Sequence, residues 1–122
     1  MQNESMSQDD ICLDKAPSVS PEEAKKLLET NKNYILLDVR TKMEYDKWRI
    51  DGAKLIQLSE LIKNYKKLDR SKKYLIVCLS GRRSACAAYA LKELGFEAFN
   101  IQGGMLEWPY ETIGSFEDIE IP

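Results

Sequence analysis

A short apolar run that ends in a cysteine constrains this chain more than any other stretch. Tyr74-Leu75-Ile76-Val77 leads directly into Cys78, and Ser80-Gly81 then interrupts the apolar pattern. An apolar run of this length without alternation is typical of a buried strand in a parallel sheet. An alanine-rich helical pattern begins just after this loop, at residue 83 or 84, and closes at Gly95, a residue suited to a left-handed helix cap. The sequence therefore predicts that Cys78 lies between the carboxyl end of a strand and the start of a helix.

The loop after Cys78 combines three features that favour a negatively charged sulfur. Its backbone N–H groups are expected to point inward, the N-terminus of the helix adds partial positive charge, and Arg82 and Arg83 add fixed charge. Gly81 permits the backbone angles of an inward-turned loop. Because the thiolate is the nucleophilic form of cysteine, Cys78 is a candidate nucleophile beside a candidate anion site. The alternative is that Cys78 is only a small core residue, but the Gly-Arg-Arg-Ser continuation favours a reactive cysteine.

This loop resembles the active-site loop of the rhodanese-like sulfurtransferases, as Cys78-x-x-Gly81-x-Arg83-Ser84, and the resemblance extends from about Val19 to Trp108. The matching segments are, in chain order, Leu37-Asp38-Val39-Arg40, Glu44-Tyr45, Ile50-Asp51-Gly52-Ala53, Gly95-Phe96 and Gly103-Gly104-Met105-Leu106-Glu107-Trp108. Several motifs in the right order are a more specific signal than any single one. The chain departs from the family at Trp48-Arg49, where a Gly-His pair is usual, and at Gln57, where a proline is common.

The resemblance implies the rhodanese fold, an α/β fold with a small doubly wound parallel sheet of about five strands and helices on both faces. It implies a sulfurtransferase in which Cys78 takes a sulfane sulfur from an anionic donor such as thiosulfate and carries it as a persulfide to a thiol, cyanide or protein acceptor. The other implied site residues are Leu79, Ser80, Gly81, Arg82, Arg83 and Ser84 for donor binding, with Asp38 and Arg40 as supporting residues. No cofactor or metal is expected, and the protein is expected to be a monomer.

Alternative functions remain open at this point. Related cell-cycle phosphatases and arsenate reductases share the fold, but their loop is one residue longer; here four residues separate Cys78 from Arg83, which favours sulfur over phosphate. Some rhodanese-like domains are non-catalytic binding or regulatory modules, which commonly lack the cysteine or the loop pattern. Basic residues between positions 63 and 73 admit a nucleic-acid contact, but aromatic partners are sparse and a solvated helix face is favoured.

The charge distribution divides the chain of 122 residues into three segments. Residues 1–14 carry four acidic residues and no basic ones, residues 107–122 carry five acidic residues and no basic ones, and residues 15–106 have a net charge of +7. We expect a disordered acidic segment over residues 1–16, a rhodanese-like domain over residues 17–110 and an acidic tail over residues 111–122. The basic domain is expected to attract small anions.

The numbers of cysteine and histidine residues further limit which catalytic groups the chain can have. Three cysteines are too few for a disulfide scaffold, which favours a reducing, cytoplasmic setting and leaves at least one free thiol. Cys12 is expected to be incidental, and Cys86 a bystander or, alternatively, a resolving thiol for Cys78. Because the chain has no histidine, Cys-His and Ser-His nucleophile pairs are excluded. The polar, acidic N-terminus is not a signal peptide, and no apolar stretch reaches the length of a membrane span.

Helix starts are predicted at three places where a small hydroxyl residue precedes a helical pattern. Ser20 precedes Pro21, which suits the first turn of a helix, and Thr41 and Ser59 are the other two candidate caps. Strand patterns alternate with these helices, which predicts a parallel sheet that binds its ligand beyond the carboxyl ends of the strands.

Overall fold

A five-stranded parallel sheet forms the centre of the computed structural model, which describes residues 7–118. The strands are β1 (Ser18–Val19), β2 (Tyr34–Asp38), β3 (Trp48–Arg49), β4 (Lys54–Leu55), β5 (Lys73–Val77), β6 (Glu97–Ile101) and β7 (Ile113–Gly114). The sheet has the order β1-β6-β5-β2-β4 with every neighbouring pair parallel. The remaining two strands, β3 and β7, form a separate antiparallel pair. The predicted parallel sheet of five strands is confirmed.

Within residues 7–118, six α-helices connect or cover these strands. They are α1 (Gln8–Lys15), α2 (Pro21–Thr30), α3 (Lys42–Lys47), α4 (Leu58–Asn64), α5 (Arg82–Glu93) and α6 (Gly104–Glu107), with single 3₁₀ turns at Tyr65–Lys67 and Phe116–Asp118. Within residues 7–118, no helix is long and apolar enough to cross a membrane.

Two of the three predicted helix caps are confirmed. The hydroxyl of Ser20 accepts the backbone N–H of Glu23 at 3.1 Å, and Thr41 forms a reciprocal capping box with Glu44. The third prediction was wrong, because α4 begins at Leu58, one residue before Ser59, and has no side-chain cap.

Both faces of the sheet are buried, each against a different set of helices. Alternate residues of β5 belong to different core clusters: Leu75 and Val77 pack on one side, and Tyr74 and Ile76 on the other, followed by Cys78 just after the strand. This alternation follows from the two-residue period of side chains along a strand. The first cluster contains residues of α2 and α6, and the second contains residues of α4 and α5. This two-sided covering explains why β5 reads as an uninterrupted apolar run.

The N-terminal segment differs from the expectation of disorder over residues 1–16. Residues 8–15 form helix α1, whose first turn is capped by the hydroxyl of Ser7, and α1 packs against α5. A disulfide between Cys12 and Cys86 joins the two helices, so Cys12 is not incidental and Cys86 is neither a bystander nor a free resolving thiol. The polar composition did not indicate this helix, because the helix has no extended apolar face. A covalent bond and an ion pair hold it against α5 instead. Residues 1–6 of the same prediction lie outside the described residues.

The C-terminal segment also contains structure that its acidic composition did not indicate. Strand β7 pairs with β3, and the indole of Trp48 donates a hydrogen bond to the hydroxyl of Thr112 at 3.1 Å. Phe116 packs edge-on against the Trp48 ring at 5.7 Å between centroids. The unusual Trp48-Arg49 pair therefore supplies the strand and the aromatic surface that hold residues 112–116. Residues 119–122 of the predicted tail lie outside the described residues.

Candidate active site

The loop that follows β5 turns sharply and places Cys78 below the start of α5. Gly81 caps the helix with a φ of +92°, a left-handed conformation that favours glycine. The helix begins at Arg82, one or two residues earlier than the sequence pattern indicated. Cys78 is only 4% exposed and is the free cysteine of the described residues. The geometry is the predicted one, with a strand-end cysteine facing a helix N-terminus.

Three hydrogen-bond donors surround the sulfur of Cys78. The backbone N–H of Gly81 lies 3.1 Å from Sγ, the backbone N–H of Ser84 lies 3.5 Å away, and the hydroxyl of Ser84 lies 3.2 Å away. Donors fixed in a buried loop stabilise negative charge without any reorganisation of solvent. The arrangement therefore suits a thiolate, and it also suits a thiolate that carries one additional sulfur atom.

Asn100 is a further polar residue at this site that the sequence did not reveal. Its side-chain oxygen lies 2.6 Å from the hydroxyl of Ser84, and both residues are buried. Because the hydroxyl has a single hydrogen, it donates either to Asn100 or to the sulfur, and a negatively charged sulfur competes better for it. Asn100 reaches the site from β6, which neighbours β5 in the sheet. The sequence contains one signal for this role, a polar asparagine within an apolar strand pattern. To place that asparagine beside Cys78 also requires the order of the strands in the sheet.

A cleft of about 230 Å³ opens above the sulfur. Its walls contain six of the residues predicted for the site: Arg40, Cys78, Leu79, Ser80, Arg82 and Arg83. Gly81 and Ser84 do not line the cleft but donate hydrogen bonds to the sulfur. A cleft of this size accommodates a small oxyanion with some water, whereas a larger partner has to approach from its mouth.

The two arginines of the loop have different surroundings. Arg82 lies 3.5 Å from the carboxylate of Asp10 on α1. Within residues 7–118, Arg83 forms no ion pair and is exposed at the cleft wall. Arg83 is therefore the more available positive charge for an anion in the cleft.

Asp38 and Arg40 form a buried ion pair at one side of the cleft. The Arg40 guanidinium donates to both carboxylate oxygens of Asp38, with a shortest distance of 2.8 Å, and also to the backbone carbonyl of Trp48. The two side chains are almost fully buried. Asp38 also accepts the backbone N–H of Arg40 at 3.1 Å. The pair thus connects the end of β2 to β3, and only Arg40 reaches the cleft.

The Gly103-Gly104 turn supports the underside of the loop. The N–H groups of Met105 and Leu106 donate to the carbonyls of Cys78 and Leu79 at 2.9 and 3.0 Å. A Cβ atom on Gly104 would lie 2.5 Å from the Cys78 carbonyl oxygen, so no larger residue fits without displacing the loop. The segment that begins with Gly103-Gly104 therefore holds the carbonyl side of the loop, which leaves its N–H side facing the sulfur.

Two acidic residues at the cleft were not predicted as part of the site. Asp9 of α1 and Glu44 of α3 both line the wall. The sequence indicates Glu44 only as a residue of a matching motif, and Asp9 lies in the segment for which disorder is expected. The cleft is therefore less basic than Arg82, Arg83 and Arg40 alone would make it.

Comparison with known proteins identifies the family and the fold of this chain. Residues 20–111 match the family model described as Rhodanese-like domain. The Bacillus subtilis protein named "Putative sulfurtransferase YtwF" is 33% identical over 94 residues, which cover 77% of this chain and 91% of that protein. The B. subtilis "Putative sulfur carrier protein YrkF" is 36% identical over 97 residues, and the chain spans 52% of its length. The crystal structure of a rhodanese-like domain protein from Staphylococcus aureus is 35% identical, with a TM-score of 0.70 over 78% of this chain and 93% of that one.

Proposed function

The chain belongs to the rhodanese-like domain family, and on that premise we propose that it is a thiosulfate sulfurtransferase with Cys78 as its nucleophile. One observation carries the proposal: the Cys78 sulfur lies at the floor of a small cleft, within 3.5 Å of the N–H groups of Gly81 and Ser84. Relatives named as a sulfurtransferase and a sulfur carrier support the same class of chemistry.

The first half of the proposed reaction forms a persulfide. The Cys78 thiolate attacks the outer sulfur of thiosulfate, the bond between the two thiosulfate sulfurs breaks, and sulfite leaves with the electron pair. The total charge is unchanged, because a thiolate and a dianion become a persulfide anion and sulfite. Arg83 binds the sulfonate end of the donor, while the loop N–H groups, Ser84 and the helix N-terminus stabilise the persulfide charge.

The second half returns the cysteine to its starting state. An acceptor thiolate or cyanide attacks the outer persulfide sulfur, and the Cys78 thiolate is the leaving group. Leu79, Ser80 and Arg82 line the same cleft as Cys78, so in this proposal they contact the acceptor as well as the donor. Asp38 holds Arg40 in place and takes no part in either step.

The proposed reaction is placed in the cytoplasm and carried out by a monomeric domain without a cofactor. Disulfides in the cytoplasm are commonly reversible and redox-sensing. In that compartment the Cys12–Cys86 disulfide is therefore expected to be reversible.

The direct test is transfer of sulfur from thiosulfate to cyanide by the purified chain. We expect thiocyanate to form in proportion to enzyme and to depend on both substrates, with the two-step exchange kinetics of a covalent intermediate. A folded protein that forms no thiocyanate and is not modified by thiosulfate would support the non-catalytic binding module instead.

Replacement of Arg83 tests the donor-binding role. We expect Arg83→Ala to raise the KM for thiosulfate about tenfold, because a charge-assisted contact to the dianion is lost. The KM for a monoanionic alkanethiosulfonate, which gives the same persulfide, should rise less. Lys92→Ala is the matched control, since it removes a positive charge from the far end of α5. Equal changes for both donors would contradict a role in recognising the charge.

The length of the loop separates sulfur transfer from phosphate chemistry. Leu79, Ser80, Gly81 and Arg82 separate Cys78 from Arg83, and this four-residue spacer makes the cradle too small for a tetrahedral phosphate. We therefore expect no measurable hydrolysis of p-nitrophenyl phosphate by the native chain. A variant with one glycine inserted after Ser80 is the comparison. Native phosphatase activity that disappears in Cys78→Ser would overturn the argument from loop length.

A further inference from the structure

The Cys12–Cys86 disulfide joins an element outside the family-matched region to the helix that starts at the active-site loop. Cys12 lies in α1, whereas the match to the rhodanese-like domain begins at residue 20. Cys86 lies four residues after Arg82 in α5, and this spacing puts both side chains on the same face of the helix. The disulfide is thus one helical turn away from an arginine that lines the cleft.

The same face of α5 carries the acidic start of α1. Asp10 lies 3.5 Å from Arg82, and the carboxylate of Asp9 lies 3.8 Å from the sulfur of Cys86. A disulfide sulfur has no hydrogen, so this second contact is packing, and the Asp9 carboxylate remains available to the cleft that it lines. One negative charge, that of Asp9, therefore lines a site that receives anions, and a second, that of Asp10, pairs with an arginine of the same site.

Helix α1 packs against α5, but apart from the half-cystine Cys12 it buries no side chain in this contact. It has eight residues, which is shorter than a helix that is stable alone in water. Cys12 is the buried residue of the helix, whereas its apolar residues Ile11 and Leu13 are 37% and 40% exposed. An exposed ion pair such as Asp10–Arg82 stabilises little. Breaking the disulfide is therefore expected to release α1 from α5.

We propose that Asp9 and Asp10 determine donor selectivity, and that the Cys12–Cys86 disulfide switches this selectivity on and off. With the disulfide formed, Asp10 offsets Arg82 and Asp9 faces the cleft, so dianionic donors bind weakly. With the disulfide reduced, α1 leaves, Arg82 becomes available and dianions bind better. This inference rests on the proposed sulfur transfer for the identity of its substrate. The electrostatic effect of α1 on anions that approach Cys78 does not depend on sulfur transfer.

The reducing partner belongs to the class of dithiols. One of its thiolates attacks a sulfur of the disulfide and forms a mixed disulfide, and its second thiol then displaces the protein thiolate. The protein gains two electrons and two protons as the thiols of Cys12 and Cys86, and the dithiol becomes a disulfide. Cys78 takes no part in this exchange.

The first experiment compares the disulfide-bonded chain with the Cys12→Ser/Cys86→Ser variant, which is permanently open. No reductant is present, because a reductant would also remove sulfur from a Cys78 persulfide. We expect the KM for thiosulfate to be about three- to tenfold lower in the open variant, with a smaller change for a monoanionic alkanethiosulfonate. Equal KM values for thiosulfate in the two forms would overturn the proposal.

A second variant tests the charges with the disulfide and the helix intact. Asp9→Asn/Asp10→Asn should lower the KM for thiosulfate to the level of the open variant. Asp14→Asn, which removes one negative charge from the exposed far end of α1, should leave it unchanged. An effect of Asp14→Asn equal to that of the double variant would contradict a local role of Asp9 and Asp10.

Alkylation of Cys78 gives a readout that does not require sulfur transfer. Cys78 is the free thiol in the disulfide-bonded chain and the remaining cysteine in the open variant. Iodoacetate, an anion, should react about three times faster in the open variant, whereas neutral iodoacetamide should react at a similar rate in both. Equal acceleration of both reagents would mean that α1 acts by steric cover alone and would overturn the charge mechanism. If neither form of the chain accepts sulfur, but the ratio of the iodoacetate rate to the iodoacetamide rate differs between the two forms, the proposed function fails and the switch stands.

Discussion

Cys78→Ser is expected to reduce thiosulfate-dependent sulfur transfer by at least about a thousandfold. A serine hydroxyl fits the volume of the thiol and keeps the hydrogen-bond donors of Gly81 and Ser84 nearby, so the loop should stay intact. The hydroxyl cannot form a persulfide, however, and the covalent route is lost. The measurement is the rate of thiocyanate formation at saturating thiosulfate and cyanide.

The control for this variant removes the other two cysteines and keeps Cys78. Cys12→Ser/Cys86→Ser should retain turnover at saturating donor, because neither sulfur lies in the cleft lining. Thermal unfolding of both variants identifies any loss of fold. Transfer by a folded Cys78→Ser protein at more than a few per cent of the native rate would contradict the assignment of the nucleophile.

Asp38→Ala is expected to lower the free energy of unfolding by about 3–5 kcal/mol, which is a large fraction of the stability of a small domain. The substitution leaves the Arg40 guanidinium buried without its counter-charge, and Arg40 is only 2% exposed. It also removes the acceptor of the Arg40 backbone N–H. Equilibrium unfolding in urea, with the disulfide intact, gives the change from the transition midpoint and slope.

Asp46→Ala provides the matched control for the buried pair. Asp46 forms a comparable ion pair with Lys42, but both side chains are mostly exposed. Its loss should cost less than about 1 kcal/mol, because solvent screens an exposed pair and hydrates the remaining charge. Similar losses for the two variants would show that burial of the Asp38–Arg40 pair contributes no special stability.

Much of the fold could be predicted from local patterns. The apolar run before Cys78, the capping residues Ser20 and Thr41, and the glycine at position 95 each specify a local conformation, and the structure contains all of them. The N-terminal helix could not be predicted in the same way. Its stability depends on a bond to a residue 74 positions away, and a periodic pattern reports only on neighbours along the chain.

The candidate site shows the same division between local and distant information. Cys78, Gly81 and Ser84 lie close together in the chain, in the loop after β5 and the first turn of α5, so their arrangement around the sulfur was predictable. Asn100 and Asp9 reach the site through the strand order and through the disulfide. The cysteine count correctly left at least one free thiol, Cys78. The separate expectations for Cys12 and Cys86 were wrong, because a cysteine count carries no information about which side chains are adjacent.

The most direct measurement of the central claim is the intact mass of the protein after incubation with thiosulfate in the absence of an acceptor. The proposal predicts a gain of one sulfur atom, mapped to Cys78 by peptide analysis, with the Cys12–Cys86 peptide pair unchanged. Addition of cyanide should return the mass to its starting value, because the outer persulfide sulfur is the atom that an acceptor removes. A folded protein that gains no sulfur over a wide range of thiosulfate concentrations, or that gains it at Cys12 or Cys86, would contradict the assignment of Cys78 as the sulfur-carrying nucleophile.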